Sequence, residues 1–331
     1  MKEKLTKHID LASEKIGGIV LYATDDFFAE KENLIKEGRG IFIEDKYTDQ
    51  GKWMDGWESR RKRTTGHDWA IIQLGVAGNI KGFDIDTNHF LGNHPPHASV
   101  QAVKLETDFN NWENADTLDW EEVLEKSPLE PGSQHFFEID SGKIYTHLRL
   151  HIYPDGGVAR FRVYGDAYKD WNLVANDEVL DLALATNCGK ALACNDMFFS
   201  AMDNLISPTT GKDMGDGWET KRNRTPNNVD WVILRLGHQG LVKKIVVDTK
   251  YFKGNYPDSC AIEMCNCSND EDVMNSAVEW KTLLSQQKLE ADQEHTFEGN
   301  TIENHNLITH IKLKIYPDGG ISRLRVFGTV E

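Results

Sequence analysis

The feature that most limits what this chain can fold into is an internal duplication. Residues 21–35, LYATDDFFAEKENLI, return at 192–206 as LACNDMFFSAMDNLI, an offset of 171. Further on the offset falls to about 161–163, so the first copy carries roughly ten extra residues between Lys36 and Gln50. Shared stretches then continue in order. Asp55-Gly-Trp-Glu58 matches Asp216-Gly-Trp-Glu219, and Phe90-Leu-Gly-Asn-His-Pro95 matches Phe252-Lys-Gly-Asn-Tyr-Pro257. Tyr153-Pro-Asp-Gly-Gly157 matches Tyr316-Pro-Asp-Gly-Gly320. A period near 160 is several times too long for a solenoid unit, so the repeated object is a whole domain. A chain of 331 residues has room for two, each with its own core. The boundaries are placed at 1–168 and 169–331, with a polar linker near Asp166–Trp171.

Each copy reads mostly as strands. Ala70–Leu74 and Trp231–Leu236 are short, apolar and rich in β-branched residues. Lys81–Asp86 and Lys244–Asp248 follow, with turns expected between at Ala77-Gly78-Asn79 and His238-Gln239-Gly240. Ser99–Leu105 and Thr146–Ile152 alternate apolar and polar residues with a period of two. Pro-Asp-Gly is strong turn chemistry, and it leads into Val158–Val163. Helices are expected only at Asn114–Lys126 and Asp177–Ala185. The class is therefore all-β, one sandwich per copy.

Composition narrows the partners. A net charge of −16 opposes nucleic acid and anionic membrane, which bind clustered cations, yet leaves room for a small anion at a local arginine cluster. The five cysteines all fall in the second copy and form no disulfide framework. No stretch approaches the roughly 20 apolar residues of a membrane helix, and Met1–Gly18 lacks a signal-type apolar run. A reduced, cytoplasmic setting is expected.

The chemistry-bearing segment is Asp55-Gly-Trp-Glu-Ser-Arg-Arg-Lys-Arg63 and its copy at 216–224. In extended backbone Trp57, Ser59, Arg61 and Arg63 point one way and Glu58 the other. A guanidinium forks two charge-assisted hydrogen bonds onto a carboxylate. Arg61, Arg63, Arg222 and Arg224 thus either clamp an anionic ligand or brace the sheets against Asp68, Asp86, Asp230 and Asp248. His135 and His147 recur as His295 and His310, which points to structure. His67 becomes Val229, so imidazole chemistry belongs to the first copy. No nucleophile elbow or phosphate-binding glycine loop is present.

Taken together in order and in duplicate, these motifs resemble the allantoicase family over essentially the whole chain. The resemblance implies two tandem jelly-roll β-sandwiches of the galactose-binding type in a cytosolic homo-oligomer. It implies hydrolysis of allantoate to ureidoglycolate and urea. On this reading Arg61, Arg63, Arg222 and Arg224 hold the substrate carboxylate. Asp86, Asn93 and Asn255 hold its ureido groups, and Glu219 is a further substrate-binding residue. Glu58 and His67, the latter beside Asp68, move protons. No cofactor is expected, though the residues leave a divalent metal open. The rival reading is a non-catalytic jelly-roll module for carbohydrate or another small ligand. Such modules stack exposed aromatics on sugars, whereas Trp57 and Trp218 sit among charges.

Overall fold

Asp68–Asp86 is one continuous strand of 19 residues, and Asp230–Asp248 is its twin. Both run straight through the segments where the sequence predicts a turn. The computed structural model describes residues 1–330, in two units, Met1–Tyr168 and a second beginning at Lys169.

In the first unit the named strands are β1 (Ile9–Asp10), β2 (Ile19–Ala23), β3 (Trp57–Glu58), β4 (Asp68–Asp86) and β5 (His97–Val103). They continue with β6 (Glu121–Pro128), β7 (Gln134–Glu138), β8 (Ile144–Tyr153), β9 (Gly157–Val158) and β10 (Arg160–Ala167). The first half of β4 lies between β2 and β8, and β5 and β6 extend that layer. Its second half lies between β10 and β7, with β1 at the far edge. The long strand therefore belongs to both layers of the sandwich, an arrangement in which a bent strand makes the corner. Between the layers lie Ile72, Phe83, Ile85, Val100, Leu148, Leu150, Phe161 and Val163, all fully buried.

The glycines explain why a turn signal becomes a crossing. A Cβ on Gly75 would stand 2.5 Å from the Ile16 carbonyl oxygen, and one on Gly78 2.7 Å from that of Asp166. They admit a neighbouring backbone and do not reverse the chain. The second unit repeats the device. A Cβ on Gly237 would overlap the Asn187 carbonyl oxygen outright.

Its strands are β11 (Leu180–Asp181), β12 (Lys190–Cys194), β13 (Trp218–Glu219), β14 (Asp230–Asp248) and β15 (Ser259–Cys265). They close with β16 (Lys281–Lys288), β17 (Glu294–Glu298), β18 (Ile308–Tyr316), β19 (Gly320–Ile321) and β20 (Arg323–Val330). The pairings match those of the ten first-unit strands above, and among the described residues the first unit alone adds a hairpin of Tyr47–Thr48 with Gly51–Lys52.

Neither expected helix forms as such. Trp112–Thr117 is a 3-10 segment and Glu121–Pro128 is strand, while Asp177–Ala185 contains β11. The charged run Glu121-Glu-Val-Leu-Glu-Lys126 looks helical because β6 is an edge strand, where charge blunts unwanted pairing. Among the described residues no helix is long and apolar enough to cross a membrane.

Replacing Gly237 by alanine should destabilise the chain by about 1–3 kcal/mol or more, because the clash is with backbone. Gly254→Ala, where a Cβ meets nothing within 4 Å, should stay within about 0.5 kcal/mol of the parent. Urea unfolding of both variants checks this; equal midpoints would refute the close-approach account.

Candidate active site

The recurring motifs converge on one short ribbon in each unit. β3 pairs with β9, and β13 with β19. Phe90 lies behind the first ribbon, where a Cβ on Gly157 would overlap its ring; Phe252 stands in the same relation to Gly320. The motif glycines thus exist to seat a phenylalanine. Trp57 and Trp218 are fully buried, and their indole N–H groups donate to the Asp25 and Asp196 carbonyls, each at 2.8 Å. They are scaffold and offer no face for stacking a sugar.

What the ribbon presents is a carboxyl group. The Asn93 amide donates to Glu58 Oε1 at 2.7 Å, and Asn255 donates likewise to Glu219. Burial pushes both carboxyls above the usual glutamate range, against the pull of the asparagine bond. Glu58 and Asn93 line a cavity of about 410 Å³ whose walls include Phe28, Phe42, Met54 and His89. Glu219 and Asn255 line one of about 780 Å³, together with Arg222, Arg224, Tyr256 and Asp318. Four residues expected from sequence in the second copy therefore share one cavity.

The arginine segments are held by their backbones. Lys62 N–H donates to Asp155 of the Tyr-Pro-Asp-Gly-Gly turn at 2.7 Å, and Asn223 N–H to Asp318 at 2.8 Å. Arg60 is tied to Asp25 through both backbone and guanidinium. Among the described residues Arg61, Arg63, Arg222 and Arg224 have no ion-pair partner, and all four are exposed. The carboxylates considered as their braces are engaged elsewhere. Lys62 and Thr24 hold Asp68, Arg39 forks onto Asp86 at 2.7 and 2.9 Å, and Asn195 and Asn228 donate to Asp230.

Arg61 and Arg63, unlike their second-copy counterparts, do not line the cavity of their own glutamate, and His67 and Asp86 also lie outside it. His67 Nε2–H donates to His151 Nδ1 at 2.8 Å, and His151 Nε2–H to Gln101 Oε1 at 2.9 Å. Gln101 Oε1 also accepts from Arg149, which fixes both tautomers. Burial, and then the Arg149 charge, press the His151 pKa down to about 3. Burial, and then Lys62, lower that of His67. Both rings are therefore neutral at neutral pH. Asp86 lines a separate cavity with Arg39. His135 and His295 act alike: each donates from Nδ1 to a strand carbonyl and accepts a backbone N–H at Nε2.

Some participants are not singled out by sequence reasoning. Asp25 and Asp196, which anchor the tryptophans, sit in the first repeated stretch and were findable there. Phe42 belongs to the ten-residue excess of the first copy, a visible asymmetry whose contact with the cavity no pattern announces.

An allantoicase-repeat family model matches residues 9–168 and 180–331. A probable allantoicase of Pseudomonas fluorescens (strain SBW25) is 49% identical over 327 residues, covering 98% of this chain and 97% of its own. One from Photobacterium profundum is 47% identical, covering 97% and 96%. The crystal structure of allantoicase from Saccharomyces cerevisiae superposes with a TM-score of 0.82 at 37% identity, covering 99% of this chain and 97% of that one.

The neutral histidine pair has a consequence for acid stability. Unfolded, His151 takes a proton near its model value of 6.5; folded, it refuses one until about 3. Between those values stability should fall as pH falls, by up to about 1.4 kcal/mol per pH unit from this group. His151→Gln should flatten the slope. Urea unfolding at pH 4.5, 5.5 and 6.5 measures it, and identical slopes for parent and variant would refute the assignment.

Proposed function

The chain belongs to the allantoicase family and is a hydrolase of carbon–nitrogen bonds in linear amidines; we propose that it cleaves allantoate to (S)-ureidoglycolate and urea at the Glu58–Asn93 cleft. Allantoate carries a carboxylate and two ureido groups on one carbon, so one nitrogen can help to expel the other. The half-buried Glu58 carboxyl, raised by burial, gives its proton to the nitrogen of the departing urea. The lone pair of the remaining ureido nitrogen forms a carbon–nitrogen double bond as urea leaves. Water then adds to the carbon and returns a proton to Glu58. Asn93 orients the carboxyl, and the unpaired Arg61 and Arg63 supply positive charge for the substrate carboxylate.

His67 is not needed for these steps, since its Nε2–H is committed to His151. The observation that carries the reading is the glutamate–asparagine pair, present in both repeats and followed by guanidinium groups without partners. In the second repeat Glu219, Asn255, Arg222 and Arg224 form a cleft that binds the same substrate. The working enzyme is a cytoplasmic homo-oligomer.

Glu58→Gln should lower kcat by about 10²–10⁴-fold with KM little changed, while Glu219→Gln should retain at least about half of the parent turnover. In the parent, kcat should decline as pH rises through the elevated Glu58 pKa, because the donor proton is then lost. Urea release from allantoate measures all three. Equal losses in the two variants would refute a first-repeat site, and near-normal turnover in both would refute the glutamate mechanism.

A further inference from the structure

The outer face of the second layer in the first unit carries a cavity that the proposed reaction does not use. Its volume is about 340 Å³, and Arg39, Asp84, Asp86, Gln134, Arg162 and Tyr164 are among its walls. Asp84 is only 2% exposed. Its Oδ2 accepts from the Gln134 amide at 2.6 Å, but its Oδ1 has no partner among the described residues. A buried carboxyl oxygen left open is costly unless something fills the need. Arg39 spends Nε and one terminal nitrogen on Asp86 and is otherwise half exposed. Among the described residues the Tyr164 hydroxyl makes no hydrogen bond.

The second repeat shows that the fold does not require this arrangement. By strand register, Asp84 faces Arg162 across the ladder where Val246 faces Arg325. Tyr164 corresponds to Phe327 and Gln134 to Glu294. Asp10, Asp86, Arg160 and Arg162 recur as Asp181, Asp248, Arg323 and Arg325, so the framework is common. Arg39 comes from the segment that lengthens the first copy.

We propose that this cavity is a second, non-catalytic binding site for a small ureido carboxylate, with Asp84 Oδ1 taking a ureido N–H and Arg39 and Tyr164 donating to its oxygens. The inference rests on the proposed substrate class but not on Glu58. Among the described residues no group of His, Cys, Asp and Glu could hold a metal ion, and Arg39, Arg160 and Arg162 offset the acidic side chains of the lining and so disfavour an ammonium ligand. A purely anionic ligand would leave Asp84 unanswered. The cavity is of a size for one small molecule. Burial and the neighbouring Asp86 push the Asp84 pKa to about 7, while Gln134, Arg162 and Arg39 oppose the rise. Near neutral pH the group can therefore accept from the ureido N–H or donate to its carbonyl.

The test is calorimetric titration of the full chain with N-carbamoylglycine, a stable ureido carboxylate, and with urea and acetate separately. Asp84→Val and Tyr164→Phe reproduce second-repeat residues, so the fold tolerates each at its position. Both should weaken N-carbamoylglycine binding at one class of site by about tenfold or more. Allantoate turnover should stay within about twofold of the parent. Should Asp84→Val melt early, Tyr164→Phe alone decides. Parent-like binding in the folded variants overturns the site. So does acetate binding as tightly as N-carbamoylglycine, which would mark an anion site without ureido recognition. Loss of turnover together with binding also overturns it, by making the cavity the reaction centre. Glu58→Gln keeps this binding class whatever it does to turnover, so failure of the Glu58 mechanism is read separately.

Discussion

Each domain depends on one strand being able to pass from one sheet to the other without ending. The crossing is possible only where side chains are missing, because another backbone lies within van der Waals reach of the strand at that point. Everything that positions the candidate site follows. The first half of β4 fixes β8, whose far end leads into the Tyr-Pro-Asp-Gly-Gly turn. The second half fixes β10 and ends at Asp86 and the Phe90 that seats β3 against β9. A buried phenylalanine on bare glycine is a contact that neither partner can change alone.

Duplication supplies two copies of this frame, and the differences between them carry the functional argument. The shared glutamate–asparagine pair, with arginines beyond it, is the minimum that both repeats retain. The first repeat adds an imidazole pair, a buried acid at Asp84 and a longer connecting segment. Where it has His67, His151 and Asp84, the second has Val229, Lys314 and Val246. The substitutions remove titratable imidazole and carboxyl groups while leaving the strands in register.

Much of this could be read from the chain. The repeat and the all-β sandwich class follow from motif order and from alternation along the strands, and the jelly-roll architecture from the family resemblance. So do the structural roles of His135 and His295, which bond alike, whereas His147 and His310 share a threonine partner but only His310 also reaches an aspartate, Asp270. Glu58 and Asn93, 35 residues apart, were legible only as separate motif members; their contact depends on the fold. Two readings failed for physical reasons. Glycine inside an apolar run signals a turn and a close crossing equally well, and a charged edge strand imitates a helix. Asp86 is expected beside Asn93 as a holder of the ureido groups because its motif travels with the others, yet it lines a separate cavity on the outside of the second layer. Sequence proximity to a motif does not say which face a strand residue occupies when the strand changes layers.

The segment that lengthens the first copy has one anchor midway along it, besides the Arg160 and Arg162 guanidinium groups that donate to the Glu37, Lys36 and Gly38 carbonyls. Asn88 donates to the Arg39 and Gly40 carbonyls, and the Ile41 N–H donates to Asp55. On one side of that anchor Arg39 enters the Asp84 cavity; three residues later Phe42 forms a wall of the Glu58 cavity. Both chambers thus take part of their wall from a single stretch of chain, one that the second domain lacks.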